Sequence, residues 1–291
     1  MSSTVYDTIL GGITLRQVVN SGFQPGGNVI AARSSGAVDP SELYGGPAEP
    51  VASIEVADLN GAIAGINVQT GLSVSTGITI PYRLSANQAS HASGSVHQAI
   101  MASNGLVVPT SFSVDQGSNI ALAQLAVHFR STDGTDPVTT SSNNALAAQT
   151  FVAEFGLGPV KVNGTAITEL TGFSVNPGIR VVSERYAGLP FPQALFIRER
   201  TPTIDIQFDD LAAATAFAST YQAMTSLTAF CRKYSDGNTF EADANLSHVK
   251  FSFAGGIIAV ESIGASGEES GRAVVRLHGK SLTAVTGVAI V

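Results

Sequence analysis

The sequence predicts a mainly β protein made of two tandem homologous β-sandwich- or barrel-like domains, each with one α-helix. Three observations carry this: a hydrophobic period of two along most segments, an internal duplication, and a single helix-forming stretch in each copy.

The duplication sets the domain boundaries. Gly22-Phe23 recurs as Gly172-Phe173, Ser53-Ile-Glu-Val56 as Thr203-Ile-Asp-Ile206, and Asp58-Leu59 as Asp210-Leu211. Thr79-Ile-Pro-Tyr-Arg83 recurs as Thr228-Ala-Phe-Cys-Arg232, and His97 matches His248. Asn104-Gly-Leu-Val-Val108 matches Gly255-Gly-Ile-Ile-Ala259, and Val127-His-Phe-Arg-Ser131 matches Leu277-His-Gly-Lys-Ser281. The order is kept and the offset stays between 149 and 152. A period this long exceeds a solenoid unit, so each copy is expected to own a core. Residues 1–130 form the first expected domain and 156–291 the second. Between them, 131–155 reads as a polar linker or arm, because Ser131 to Asn144 holds turn formers and almost no apolar anchor. Ala145 to Phe155 fits a short helix or an extended arm equally.

Within each copy, Ile204, Ile206 and Phe208 alternate with polar neighbours, and His248-Val-Lys-Phe-Ser-Phe253 and Arg272-Ala-Val-Val-Arg-Leu-His278 continue the alternation. Half-buried strands require this pattern. Gly255-Gly256 and Gly264-Ala-Ser-Gly267 read as breaks between strands of an antiparallel meander or sandwich. The stretch from Asp210 to Met224 is Ala-rich, starts at capping acids and lacks Gly and Pro, so it reads as a helix. Its counterpart, from Asp58 to about Gln69, carries Gly61 and Gly65 and is expected to be shorter.

Composition narrows the function. The chain has 291 residues, 15 Lys+Arg against 22 Asp+Glu, a net charge of −7, 13% charged and 44% hydrophobic residues. That excludes a disordered acidic tail and argues against a general nucleic-acid binder, which needs basic excess to displace counterions. Residues 1–150 hold 4 Arg, no Lys and 9 acids, and 151–291 hold 11 bases and 13 acids, so neither half is basic. A single cysteine, Cys231 after an apolar stretch, excludes an intrachain disulfide framework and reads as a buried thiol rather than a catalytic thiolate. The N-terminus reads as a mature cytoplasmic start, and no run of apolar residues is long enough for a membrane span. The sequons at Asn163 and Asn245 read as chance matches.

The sequence carries no recognisable catalytic constellation: catalytic, cofactor-binding and metal-binding residues are all expected to be none, and no cofactor is implied. Of the histidines His91, His97, His128, His248 and His278, four form the two repeat pairs and read as exposed or interface residues. A metal site would need carboxylate or sulfur ligands that the pattern does not place. No Gly-x-Ser-x-Gly elbow or phosphate loop is present, and the proline of Gly156-Leu-Gly-Pro-Val-Lys161 reads as a turn between linker and second domain. Asp209-Asp210 reads as a helix cap and Glu268-Glu269 as loop decoration. There is no Trp, and the 6 Tyr and 14 Phe do not interleave with Arg as a base-stacking platform would.

One resemblance goes further. Val162-Asn-Gly164, Leu170-Thr-Gly-Phe-Ser-Val-Asn-Pro-Gly178, Pro202-Thr-Ile-Asp-Ile206 and the closing Gly255-Gly-Ile-Ile-Ala-Val-Glu-Ser262 … Ala273-Val-Val-Arg-Leu-His-Gly-Lys280 resemble the phage tail tube (major tail) proteins of long, non-contractile tails. The resemblance spans most of 160–285 and, through the repeat, more weakly 10–131. It implies sandwich strands, a packed helix and a final hairpin. It also implies a non-enzymatic virion protein, made in the host cytoplasm and placed in the tail, whose stacked rings conduct the genome. Many such proteins carry one domain and form hexameric rings, so a fused pair implies a trimeric, pseudo-sixfold ring. Implied partners are further copies of the chain, the tape measure, terminator and distal tail proteins, and DNA in transit, without membrane insertion. An acidic lumen fits low-friction passage of phosphates, and the chain ends and the 131–155 linker are the candidate stacking elements. A tail hub or distal tail ring protein, or a β-rich surface adhesin or capsid decoration protein, fits the same pattern.

Overall fold

Period-two alternation of apolar side chains yields twenty strands and one helix among the residues described by the computed structural model, which are 6–33, 35, 38–82, 96–145, 152–209, 221–237, 239–264 and 272–291. The chain is mainly β. Up to residue 145 it forms β1 (Tyr6–Leu10), β2 (Ile13–Gln24), β3 (Val29–Ala32), β4 (Glu42–Gly45), β5 (Val51–Val56), α1 (Leu59–Gly65), β6 (Leu72–Val74), β7 (Ile78–Tyr82), β8 (Val96–Ala102), β9 (Gly105–Asp115), β10 (Leu122–Phe129) and β11 (Val138–Ala145). Beyond it come β12 (Phe155–Val162), β13 (Thr165–Ala166), β14 (Leu170–Asn176), β15 (Ile179–Glu184), β16 (Ala194–Arg200), β17 (Thr203–Phe208), β18 (Gln222–Lys233), β19 (His248–Gly264) and β20 (Arg272–Val288).

Sixteen strands share one antiparallel sheet in the order β11-β8-β7-β1-β2-β5-β10-β9-β14-β17-β20-β19-β18-β12-β13, with β6 on β9. The hairpins β3–β4 and β15–β16 stand outside it. Inward side chains of alternating strands bury fully: Ala52, Ile54 and Val56 in β5, and Ile204, Ile206 and Phe208 in β17. Asp58 caps α1, accepting from the Gly61 amide at 2.8 Å. It satisfies one of the amides that a helix start leaves without an internal partner.

Two ladders have the same neighbours and the same irregularities. In β2–β5–β10–β9, a bulge falls between Val18 and Asn20 of β2, and another falls on β9 where Gln124 and Leu125 face Ser111 and Pro109. In β14–β17–β20–β19, the bulges fall between Leu170 and Gly172 and between Val260 and Ser262. Val56 faces Val18 and Phe208 faces Leu170, each pair of equivalents 152 positions apart. The register therefore matches Phe23 with Val175 rather than with Phe173. A shift of two residues keeps every side chain on its face, so alternation alone does not reveal it.

The structure corrects several expectations. The cores are not separate: β9 pairs with β14 across residues 112–115 and 172–175, and the buried side chains form one cluster. Phe112 meets Phe251 with ring centroids 5.1 Å apart. Part of the segment read as a linker is a strand, because Val138–Ala145 pair with β8. Only Val138 of this strand packs against the core, so main-chain pairing carries a largely Thr, Ser and Asn sequence, and the strand is committed to the sheet rather than free as a stacking arm. Gly158-Pro159 is no inter-domain turn. It lies inside β12 at an irregularity between Leu157 and Val160, where a proline without an amide donor is tolerated. Gly255-Gly256 does not end a strand either, since β19 runs through it. The segment 210–220 of the expected second helix lies outside the described residues. Gln222–Met224 at its end start β18 instead, with Met224 buried and opposite Gly256. Glu268-Glu269 and His91 also lie outside the described residues.

Candidate assembly surface

Where the two ladders meet inside the chain, the contact has two parts. The first is main-chain pairing of β9 with β14, with Phe112 opposite Val175 and Val114 opposite Phe173. All four side chains are buried. The second is the β15–β16 hairpin, which leaves β14 through Asn176-Pro177-Gly178 and lies over the first ladder. The amide of Ala48 donates to the Pro190 carbonyl at 2.9 Å and that of Ser131 to the Pro192 carbonyl at 2.8 Å. Ser183 Oγ and Arg185 Nη2 each donate to Glu49 Oε1 at 2.6 Å. Those partners, the Ser183 hydroxyl first and the Arg185 guanidinium with it, hold the Glu49 carboxyl below its ordinary value. Under this cover Ala48 is 7% and Ser131 3% exposed.

The first half carries the same parts without a cover. Gln24-Pro25-Gly26 stands where Asn176-Pro177-Gly178 stands. Glu49 N–H reaches the Gly26 carbonyl and Thr201 N–H the Gly178 carbonyl. Gly26 and Gly178 have φ of +64° and +62°, and a Cβ on either would lie 2.1 Å from a carbonyl oxygen, so only glycine makes this turn. The β3–β4 hairpin closes with Ser41 N–H on the Ala32 carbonyl, as Gln193 N–H closes β15–β16 on the Glu184 carbonyl. Its apolar residues Val29, Ile30, Leu43 and Tyr44 are exposed, and Val38 near its tip is 85% exposed. Among the described residues, no strand pairs with the edge of β2 away from β5 between Val19 and Gln24, since β1 reaches only Val18 there. At the other end, β18 covers β19 as far as Ile258, and among the described residues no strand pairs with that edge beyond it. Further along the same ladder, between β20 and the Val68–Thr70 segment, opens a cleft of about 480 Å³ lined in part by Arg200, Pro202, Lys280 and Ser281. Arg200 and Ser281 are the register equivalents of Ala48 and Ser131, and both are exposed.

The histidines divide. His278 is exposed and His128 half-buried, each facing away from the buried Leu277 and Val127. Burial lowers the His128 pKa, with the Glu49 charge opposing. His248 is not exposed: it is fully buried beneath the 234–247 loop. Its Nδ1 accepts from Lys233 N–H at 3.1 Å, which leaves Nε2 to donate to the Ala242 carbonyl at 3.0 Å. The same loop is pinned by Lys233 Nζ on Glu241 Oε1 at 2.7 Å, and this lysine, with Ser247 and Asn245, draws the Glu241 carboxyl down to about 2. Cys231 is buried, which pushes its thiol well above the ordinary range. Among the described residues no group of three or more His, Cys, Asp or Glu is placed to hold a metal ion, and no helix is long and apolar enough to cross a membrane.

Sequence matching alone passed over the Pro-Gly turn and Pro40. The signal was there, as Gln24-Pro-Gly26 against Asn176-Pro-Gly178 and Pro40 against Pro192, all at an offset of 152. Comparison with protein-family models finds no match, and no curated protein is similar to the chain.

Proposed function

We propose that the chain is a structural virion protein that self-assembles into stacked rings forming the tube of a long, non-contractile phage tail, a conduit for the genome into the host. In this reading residues 1–130 and 156–291 are two copies of one β-sandwich-like unit. Three chains then place six near-equivalent units around a ring. The chain is made in the host cytoplasm, acts in the virion tail and has no enzymatic role. Its partners are its own copies and the neighbouring tape measure, terminator and distal tail proteins.

The observation that carries this reading is the pair of uncovered ends whose parts repeat a covered junction. A contact between unlike ends is heterologous, and it closes into a ring or runs on as a filament. Closing the ring also removes the free sheet edges that otherwise pair indiscriminately. The net charge of −7 and the lysine-free first half suit a lumen through which phosphates pass without sticking. Negative-stain imaging of the concentrated protein tests the proposal. Tubes with an open lumen support it, single rings that never stack favour a hub or distal tail ring protein, and dispersed monomers refute it.

A further inference from the structure

Resting on the assembly reading above, we infer that the contact between chains is a residue-for-residue copy of the contact inside the chain. The β3–β4 hairpin of one copy seats its Val38–Pro40 tip in the cleft of the next copy, between Arg200 and Ser281. The edge of β2 that no described strand pairs extends the corresponding edge of β19 beyond Ile258.

The register relates the two contacts residue by residue. Inside the chain, the Pro190 carbonyl takes the Ala48 amide and the Pro192 carbonyl takes the Ser131 amide. The bulge registers carry Ala48 to Arg200 and Pro190 to Val38 with an offset of 152. The β10 and β20 registers carry Ser131 to Ser281 with an offset of 150. Among the described residues the tip that inserts is uncovered, and the place that receives it opens as a cleft between β20 and the Val68–Thr70 segment. Val38 and Pro40 project from the first half, and the cleft at Arg200, Pro202 and Ser281 opens beside the second. The strand edges agree. Val175 opposite Phe112 becomes Phe23 opposite Ile263, and Ser174 opposite Ser113 becomes Gly22 opposite Gly264.

The burial pattern points the same way. In β14, Phe173 and Val175 are buried because β9 closes over them, whereas their equivalents Ser21 and Phe23 in β2 are only half-buried. A row of unpaired amides and carbonyls beside an apolar hairpin is a template for another strand. The occupant of matching shape and register is a second copy of this chain. The two uncovered ends are unlike, so each copy offers one donor end and one acceptor end.

Cysteine cross-linking tests this on the full chain, since the native Cys231 is buried and Pro40 and Ser281 are exposed. Mixing a Pro40→Cys variant with a Ser281→Cys variant and adding a short bifunctional thiol reagent is expected to give a dimer band. Neither variant alone is expected to give one, because the contact joins unlike ends. The double variant is expected to give multimers ending at three chains. In parallel, Val38→Lys, at a site open to solvent in the single chain, is expected to raise the concentration needed for assembly at least tenfold while leaving the melting temperature of the monomer unchanged. Rings or tubes in the microscope without the mixed dimer, or with assembly unaffected by Val38→Lys, would overturn this contact and leave the tube reading standing. A chain that stays monomeric at every concentration overturns both.

Discussion

β14 and β2 each pair with the equivalent strand on one side, carry the same bulge and lead into the same Pro-Gly turn, yet on the other side β14 is closed by β9 whereas β2 has β1 only as far as Val18. The same holds for the hairpins that follow them. β15–β16 lies on the first ladder and holds Glu49, whereas β3–β4 stands out with Val29, Leu43 and Tyr44 in solvent. The strands alone do not account for the difference, because their patterns are alike. What differs is whether another ladder lies alongside. On the proposed assembly, the covered case is the template for what the uncovered parts meet.

Side-chain truncation on the two sides separates them most sharply. Phe112→Ala removes a fully buried ring packed on Phe251 and is expected to destabilise the chain by about 3–5 kcal/mol in denaturant unfolding. Phe23 is half-buried and touches Phe129 edge-on with centroids 5.9 Å apart, so Phe23→Ala is expected to cost no more than about 2 kcal/mol in the monomer. Equal costs would mean that the β2 side is already closed within one chain.

A charge placed under the hairpin gives the next largest contrast. Ser131 is buried, donates to Asp133 Oδ1 and accepts from the Gly134 amide at 2.8 Å. Ser131→Lys is expected to cost about 2–3 kcal/mol through an unpaired buried charge and a lost hydroxyl partner. Ser281→Lys is expected to change monomer stability by less than about 0.5 kcal/mol, since that surface is open, and to weaken assembly instead. Thermal melts together with sedimentation read both.

The smallest effect is electrostatic. The folded Glu49 carboxyl lies below its ordinary value of 4.5, so its stabilisation is present in full above that value and is lost as pH falls through the folded one. His128, lowered from 6.5 by burial, acts in the same direction: the unfolded chain takes up its proton first as pH falls below 6.5. Glu49 is more than half exposed, so Glu49→Gln is expected to cost at most about 1 kcal/mol at neutral pH. It should also flatten the acid limb of a urea-midpoint profile. An unchanged acid limb would show that the hairpin is held by Pro190 and Pro192 alone.

Alternation and capping were legible from residues alone. Ile204, Ile206 and Phe208 face inward, Asp58 caps the short helix, and Cys231 is buried. The register was legible only to within two residues, because a period of two is degenerate to that shift. The strand Val138–Ala145 was illegible, since its pairing with β8 is a long-range gain that a Thr/Ser/Asn composition does not announce. The burial of His248 was missed because it depends on the 234–247 loop folding back over the strand, which local alternation does not encode. The proposed assembly surface was half visible: the sequence repeat was read, but the covered and uncovered versions of one junction emerge only once β9 and β14 are seen to pair.

A cryo-electron microscopy map of the assembled protein reads the proposed contact itself. Rings of six similar lobes contributed by three chains are expected, with the strand pair between chains superimposing on the β9–β14 pair within a chain. A stable monomer, a ring of six chains, or a two-fold dimer joining like ends would contradict it.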